Sequence, residues 1–225
     1  MKTAAVIVAA GSGSRFGSET PKQFLEINGK PLIAHAIARF EAAPSVDSIV
    51  VVLAAGRISE FDTSGFSKVR NVVAGGASRA ASVLNGMNAI DDGTEVVAVH
   101  DGARPLVSVH DIEATIAKAK ETGAACLVAP VTDTIKSIRG GEIAATLDRD
   151  KLRRALTPQV FKIEVLKAAF EVADLTAATD ECYLVEKLGH PIAIVEGSPH
   201  NIKITLPEDL VFAEALLNSK LGTRN

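Results

Sequence analysis

The stretch that decides the fold is KTAAVIVAAGSGSRFGSETPK, from Lys2 to Lys22. The run Ala4 to Ala9 is apolar without polar alternation, which predicts a strand buried on both faces. In the part that follows, Gly11 and Gly13 let the backbone turn sharply and approach a ligand closely. Successive backbone N–H groups in such a turn form a nest for anionic oxygens. The stretch therefore predicts a buried strand of an α/β sheet that leads into an anion-binding loop.

Two familiar phosphate-binding motifs do not fit this loop. A P-loop ends in Gly-Lys-Ser/Thr, whereas Gly17 is followed here by serine and glutamate. A dinucleotide-binding loop opens directly into a helix, whereas Pro21 interrupts the chain before any helical pattern begins. Arg15 and Lys22 flank the loop, and two cations beside a phosphate nest suit the transferring phosphorus of a triphosphate. The alternative for these two side chains is ordinary solvated charge.

The rest of the chain alternates apolar runs with helical patterns. Predicted strands are Ala4 to Ala9, Ile49 to Leu53, Val69 to Val73, Val96 to Val99, Cys126 to Val128 and Ile192 to Val195. The first predicted helix starts near Pro31 and carries the apolar stripe Leu32, Ile33, Ala36, Ile37 and Phe40. Three more helices are predicted at Ser82 to Ile90, Ser108 to Thr122 and Lys162 to Ala173. A last helix is predicted to begin with a capping box formed by Thr205 and Glu208. This alternation predicts a doubly wound α/β fold with a mostly parallel sheet, which binds ligands at the carboxyl ends of its strands.

One segment departs from that alternation. Thr134 to Ile138 and Glu142 to Leu147 are short strand-like runs around Gly140 and Gly141, which is a hairpin pattern. A hairpin inserted in a parallel α/β domain is either a lid or an arm that grips a neighbour. We therefore predict one domain over residues 1–225, with an inserted hairpin at about 134–147.

Composition limits the class of protein. The 225 residues are 47% apolar and carry a net charge of −3, with a pI near 6.0. A nucleic-acid-binding domain is usually strongly basic, so nucleic acid is not expected as a partner. No apolar run approaches the roughly 18 residues of a membrane span. Cys126 and Cys182 fit neither a disulfide framework nor a metal-site spacing, so a reducing cytoplasm is the expected location.

Further polar residues follow other predicted strands. Gly76 and Ser82 belong to a second glycine-containing loop, which alone is more typical of a plain helix N-terminus. Asp101 and Arg104 follow the strand Val96 to Val99, at an edge where ligands bind in this architecture. Asp101 is suited to steering a metal-bound phosphate or orienting a lysine, and Arg104 to binding a phosphate. The alternative is a structural pair of the two that holds the loop. His100, beside them, is expected in core or loop packing.

A last group of polar residues is spread along the chain. Lys203 lies in an apolar run and needs a partner, for which Asp101 is the candidate. Asp180 and Glu181 are interpreted as the first turn of a helix capped by Thr179 rather than as a catalytic pair.

In order, these motifs closely resemble the 2-C-methyl-D-erythritol 4-phosphate cytidylyltransferase family over about Ala4 to Leu217. The resemblance rests on Ala-Ala-Gly-x-Gly-x-Arg with Pro-Lys-Gln after it, His-Asp-x-Ala-Arg-Pro, Asp-Arg, Thr-Pro-Gln, Thr-Asp-Glu and Asn-Ile-Lys-x-Thr. It implies a nucleotide-diphospho-sugar transferase type of fold. It also implies a homodimer joined by exchanged β-arms, with the hairpin at about 134–147 as the arm. The implied reaction is in-line attack of a sugar-alcohol phosphate on the α-phosphorus of Mg²⁺-CTP, with pyrophosphate leaving.

The resemblance also implies residue roles. Arg15 and Lys22 match the pair that stabilises charge at the α-phosphorus, while Arg149 and Lys203 match the residues that position the sugar phosphate. Arg104, Thr134, Thr157 and Thr179 match further sugar-phosphate contacts, some of them from the partner subunit. The nucleotide-site positions are Ala9, Ala10, Gly11, Gly13, Gly76, Ser82 and Asp101, with Asp101 also the candidate metal ligand. The absence of a nucleophile–histidine–acid set agrees with such a reaction, which asks for positioning and charge neutralisation and whose attacking phosphate is already ionised.

Two alternatives stay open from the sequence. A ribitol 5-phosphate cytidylyltransferase shares the expected fold and most of the cations. A non-catalytic nucleotide-binding module is less favoured, because such a module typically loses Arg15 or Lys22.

Overall fold

The computed structural model describes residues 1–11, 16 and 21–219. In chain order the strands are β1 (Lys2–Ala9), β2 (Glu26–Ile27), β3 (Lys30–Pro31), β4 (Ser48–Leu53), β5 (Val69–Ala74), β6 (Thr94–Asp101), β7 (Ala124–Pro130), β8 (Lys136–Arg139), β9 (Glu142–Thr146), β10 (Arg153–Lys162) and β11 (Ala193–Glu196). The α-helices are α1 (Leu32–Ala42), α2 (Arg79–Met87), α3 (Val109–Thr122), α4 (Ile163–Val172), α5 (Glu181–Leu188) and α6 (Pro207–Asn218). No helix in these described ranges is long and apolar enough to cross a membrane.

The main sheet has the strand order β11-β7-β10-β6-β1-β4-β5. Its pairs are parallel except for the two that β10 makes with β6 and β7. The chain runs outward from β1 through β4 and β5, then returns to place β6 on the other side of β1. A crevice therefore opens between the carboxyl ends of β1 and β6, which is where doubly wound folds bind ligands.

The inner strands β1, β4, β6 and β7 are covered on both faces, as predicted. The prediction was wrong for the edge strands β5 and β11, which are only partly buried because no further strand and less helix surface covers them. Alternate β1 residues enter different cores: Ile7 belongs to the cluster that includes residues of α1 and α3, whereas Val6 belongs to the cluster that includes residues of α2, α4 and α5. The predicted stripe of α1 is buried in full, from Leu32 to Phe40. The mostly parallel, doubly wound α/β fold is confirmed.

Some local predictions were wrong, each for a local reason. Strand β10 was missed because polar and basic residues occupy its first half. Helix α2 begins at Arg79 rather than Ser82, because the Ser78 hydroxyl accepts the N–H of Ala81 and caps it. Helix α5 is capped by the side chain of Asp180, not by Thr179.

Helix α6 is also capped differently from the prediction. The Asp209 carboxylate, rather than a Thr205–Glu208 pair, accepts the backbone N–H groups of Thr205 and Leu206 at 2.7 and 2.8 Å. The acidic side chain one residue further along therefore closes the start of this helix.

The predicted hairpin is present as β8 and β9. Gly140 and Gly141 have φ values of 60° and 87°, a left-handed turn that glycine adopts without steric cost. The pair forms its own two-stranded sheet, with Ile138 opposite Ile143. Both isoleucines are more than 60% exposed, so the hairpin leaves two large apolar side chains uncovered.

Candidate active site

A cleft of about 510 Å³ opens at the carboxyl ends of β1 and β6. Its described lining residues are Val8, Ala9, Ala10, Gly11, Lys22, Gln23, Gly76, Ala77, Ser78, Arg79, Ser82, Asp101, Ala103, Lys203 and Thr205. Every predicted nucleotide-site residue that the structure describes is among them. Gly13 and Arg15 lie outside the described residues, so their predicted roles stay predictions.

The two glycine-containing loops meet on one side of this cleft. A Cβ at Gly75 would overlap the Cβ of Ala10 and lie 2.8 Å from the Ser82 hydroxyl. That hydroxyl accepts the N–H of Gly76 at 3.0 Å and donates to the carbonyl of Ser78 at 2.8 Å. Ser82 therefore holds the second loop in shape while the absent side chain of Gly75 lets the two loops touch.

Gln23 fixes the first loop. Its side chain is almost fully buried, and its Nε2 donates to the carbonyls of Ala9 at 2.8 Å and Gly11 at 3.3 Å. The residue before it, Lys22, donates from Nζ to the carbonyl of Ile204 at 2.7 Å. Gln23 was not predicted as a site residue, although it belongs to the Pro-Lys-Gln motif. Its role depends on a contact that residue type alone does not reveal.

Asp101 is the centre of the charge network. Its Oδ2 accepts from Lys203 Nζ at 2.8 Å, which confirms the predicted partnership, and lies 3.5 Å from Arg104 Nε. Its Oδ1 lies 3.1 Å from both Nε and Nη2 of Arg79. Burial opposes ionisation, but the charges of Arg79, Lys203 and Arg104 outweigh it and hold the Asp101 pKa well below its usual range.

Arg79 is a site residue that the sequence did not single out. Its Nη1 donates to Oε1 of Glu181 at 2.6 Å, so the guanidinium bridges two carboxylates. Burial raises the pKa of Glu181 even though Arg79 opposes the rise. Arg79 lies between Gly76 and Ser82, but Glu181 is 102 residues further along, so only the fold brings the two together.

Arg104 and Thr157 are not among the lining residues, and their side chains bond to protein groups next to the cleft. Arg104 Nη1 donates to the carbonyl of Asn201 at 2.8 Å. The Thr157 hydroxyl accepts the N–H of Asp101 at 3.2 Å and lies 2.9 Å from Nδ1 of His100. His100 is fully buried against Phe40, and burial lowers its pKa to about 4, which confirms the predicted packing role.

The remaining predicted sugar-phosphate residues do not line the cleft. Arg149, Thr134 and Thr179 are exposed, and Arg149 Nη1 donates to the carbonyl of Thr132 at 3.0 Å at the base of the hairpin. The structure of one chain thus brings Lys22 and Lys203 to one cleft but leaves Arg149 and Thr134 beside the hairpin.

Two predicted motifs meet through Gln159. Its Oε1 accepts the N–H groups of Glu181 and Cys182 at 3.0 Å each, and its Nε2 donates to Asp180 at 2.8 Å. The Thr-Pro-Gln and Thr-Asp-Glu motifs therefore include a buried clamp on the start of α5.

A metal ion finds little support from protein side chains alone. In the described ranges, no group of three or more His, Cys, Asp or Glu side chains could hold a metal. Both carboxylate oxygens of Asp101, the acidic residue among the described lining residues, are engaged by cations. A divalent ion here would take most of its ligands from phosphate oxygens.

The doubly wound sheet, the two glycine-containing loops and the cationic cleft define a nucleotidyltransferase type of enzyme. The chain belongs to the 2-C-methyl-D-erythritol 4-phosphate cytidylyltransferase family, whose model matches residues 3–219. Among curated relatives, the enzyme of that name from Pelotomaculum thermopropionicum is 45% identical over 98% of this chain and 96% of its own length. The one from Geobacter metallireducens is 44% identical over 98% of this chain and all of its own length.

Solved structures of members of the same family are similar to this chain. The crystal structure of 2-C-methyl-D-erythritol 4-phosphate cytidylyltransferase from Thermus thermophilus superposes with a TM-score of 0.82 at 34% identity, covering 97% of this chain and all of that one. The 4-diphosphocytidyl-2C-methyl-D-erythritol synthase from Anaerococcus prevotii has a TM-score of 0.83 at 27% identity, covering 97% of this chain and 96% of that one. The similarity therefore extends over the whole fold and not only over the motifs.

Proposed function

We propose that this chain joins CTP and 2-C-methyl-D-erythritol 4-phosphate into 4-diphosphocytidyl-2-C-methyl-D-erythritol, with release of pyrophosphate. The observation that carries the proposal is the convergence of Lys22, Lys203 and Asp101 on one cleft beside the loops of Gly11 and Gly76. The names of the curated relatives favour methylerythritol phosphate over ribitol 5-phosphate as the acceptor.

The nucleotide occupies the cleft with its phosphates against the backbone of the first loop, where N–H groups and absent side chains suit anionic oxygens. Lys22, together with Arg15, neutralises charge that develops around the α-phosphorus. An oxygen of the sugar phosphate attacks that phosphorus in line, and the bond to the pyrophosphate oxygen breaks. No general base is needed, because the attacking phosphate is already ionised near neutral pH.

The acceptor phosphate binds at the Asp101 end of the cleft. Lys203 supplies its cation there, and the salt bridge with Asp101 limits the motion of a long flexible side chain. The hydrogen bond from Lys22 Nζ to Ile204 joins the two cationic regions through adjacent residues. Substrate binding can then orient two anions toward each other while both are held by opposite charge.

Magnesium enters the proposal as part of the co-substrate Mg²⁺-CTP. Asp101 is the described lining residue able to ligate it, although Arg79 and Lys203 already engage its oxygens. When bound, the ion supplies further neutralisation of the triphosphate charge.

The functional unit that we propose is a cytoplasmic homodimer of single-domain chains joined by the arm at about 134–147. The exposed Ile138 and Ile143 support an apolar contact made by this arm. The position of Arg149 and Thr134 at its base suits residues that complete the site of a partner subunit.

A pyrophosphate-release assay tests the reaction. The four nucleoside triphosphates are each combined with methylerythritol phosphate and with ribitol 5-phosphate, and we expect rapid turnover only for CTP with methylerythritol phosphate. Preference for ribitol 5-phosphate or for another nucleotide would contradict the substrate assignment. Binding of CTP without pyrophosphate release from any pair would instead support a non-catalytic module.

A further inference from the structure

The guanidinium group of Arg79 is anchored at both ends. Its Nε and Nη2 both lie 3.1 Å from one oxygen of Asp101, Oδ1. Its Nη1 donates to Glu181 at 2.6 Å. Both contacts from Arg79 use Oδ1 of Asp101. Its other oxygen, Oδ2, faces Lys203, whose Nζ lies 2.8 Å away.

Glu181 is held as firmly as the arginine it binds. Its side chain is 1% exposed, and it is the first residue of α5. The Gln159 clamp accepts its backbone N–H at 3.0 Å. A continuous path of hydrogen bonds therefore runs from the start of α5 through Glu181, Arg79 and Asp101 to Lys203.

The type of each residue suits such a path. A guanidinium presents a rigid planar set of donors that can bridge two carboxylates, whereas a lysine ammonium is a single point of charge on a flexible stem. The final residue, Lys203, is the flexible one, and its position depends on the carboxylate it contacts. Glu181 lies outside the cleft lining, and its hydrogen bond to Arg79 links it to the cleft.

We propose that Arg79 and Glu181 are positioning residues that hold Asp101 so that the ammonium of Lys203 faces the sugar phosphate. This inference rests on the function proposed above, in which Lys203 binds that phosphate. Neither positioning residue needs to contact the acceptor, since both act through the orientation of Asp101.

A double-mutant cycle between Arg79→Lys and Lys203→Ala tests the proposal. Arg79→Lys keeps the charge but cannot bridge both carboxylates, so we expect kcat/KM for the sugar phosphate to fall about 10-fold, with KM for CTP changed less than about 2-fold. In the Lys203→Ala background the same substitution should change kcat/KM by less than about 2-fold, because no ammonium remains to be positioned.

Two further variants complete the experiment. Glu181→Gln preserves the shape of the buried side chain and should lower kcat/KM for the sugar phosphate in the same direction, again only when Lys203 is present. Arg57→Lys alters an exposed ion pair with Glu60, 2.6 Å long, and should change neither kinetic constant. The thermal unfolding of each variant is measured as well, to show that the kinetic constants compared are those of folded proteins.

Several results would overturn the inference. An equal loss in both backgrounds would mean that Arg79 acts independently of Lys203, and a loss confined to CTP would make it a nucleotide contact. A lower unfolding temperature with unchanged kinetic constants would leave only a structural role. Absence of turnover by the unmodified protein would overturn the proposed function itself, and this inference with it.

Discussion

At the scale of single residues, the chemistry of this cleft depends on which cationic side chains line it and which groups hold them in place. Lys22 and Lys203 come from opposite ends of the chain, yet Lys22 donates to the carbonyl of the residue after Lys203. The partnership of Lys203 with Asp101 was predictable, since a lysine in an apolar run needs a carboxylate. The Arg79–Glu181 pair was not, because an arginine in a glycine-containing loop has an ordinary solvated interpretation.

Lys22 is expected to act mainly in the transition state. Lys22→Ala should lower kcat roughly 10³-fold while weakening CTP binding much less, because its charge matters most as negative charge develops at the α-phosphorus. Steady-state kinetics and calorimetric CTP titration separate the two effects. Lys30→Ala removes an exposed lysine of β3 and is the matched control. Near-normal turnover of Lys22→Ala would refute its role.

Arg149 is expected to act on the acceptor side. Arg149→Ala should raise KM for the sugar phosphate about 10-fold or more and leave KM for CTP nearly unchanged, since its proposed contact is with that phosphate. The comparison is Lys151→Ala, which removes a cation from the same exposed turn. An effect of Arg149→Ala confined to CTP would contradict the assignment.

At the scale of elements, the hairpin of β8 and β9 differs from the rest of the fold. The inner strands of the main sheet bury their apolar residues against helices, whereas Ile138 and Ile143 face outward at 62% and 66% exposure. The sequence predicted the hairpin because Gly-Gly between two short runs specifies its turn locally. Strand β10 carries polar and basic residues in its first half, so no local pattern marks it, and its place between β6 and β7 is decided by long-range pairing.

The arm yields a prediction about assembly. Replacing Ile138 and Ile143 together by Asp should convert a dimer into a monomer, because a charge buried in an apolar contact is costly. Size-exclusion chromatography with light scattering measures the molecular mass. The control is Val172→Asp, which alters a valine 62% exposed at the end of α4. An unchanged mass for the double variant would exclude the arm as the dimer contact.

At the scale of the whole molecule, the site lies where the strand order reverses. β6 returns to the far side of β1, and the crevice between their carboxyl ends receives residues from the first loop, from α2 and from the segment after β11. The wall of this crevice contains buried titratable groups. The stability of the entire fold is therefore linked to their protonation.

His100 predicts a pH dependence of stability. Its pKa falls from an ordinary 6.5 to about 4 on burial, so between these values the unfolded chain binds a proton that the folded chain does not. The contribution of His100 to the free energy of unfolding should therefore decrease as pH falls through this window. Asp101, whose pKa is lowered from 3.8, contributes stability that is lost only below the window.

Urea unfolding followed across pH 4 to 6.5 measures the effect. His100→Gln should show a flatter dependence than the unmodified protein, whatever its stability at pH 7. His110→Gln, which removes an exposed histidine of α3, should keep the original slope. Equal slopes for all three proteins would show that His100 does not control this window.

The sequence by itself determined the fold class and the location of the cleft. Apolar runs, helical stripes and glycine turns are local patterns, and parallel strands in alternation with helices place their carboxyl ends at one edge. Apart from the pair of Lys203 and Asp101, only the tertiary structure decided which polar groups contact each other at that edge. Glu181 binds Arg79, and Gln159 clamps α5, because distant segments pack there. Residue type limits which partners are possible, but burial decides which carboxylate must accept which cation.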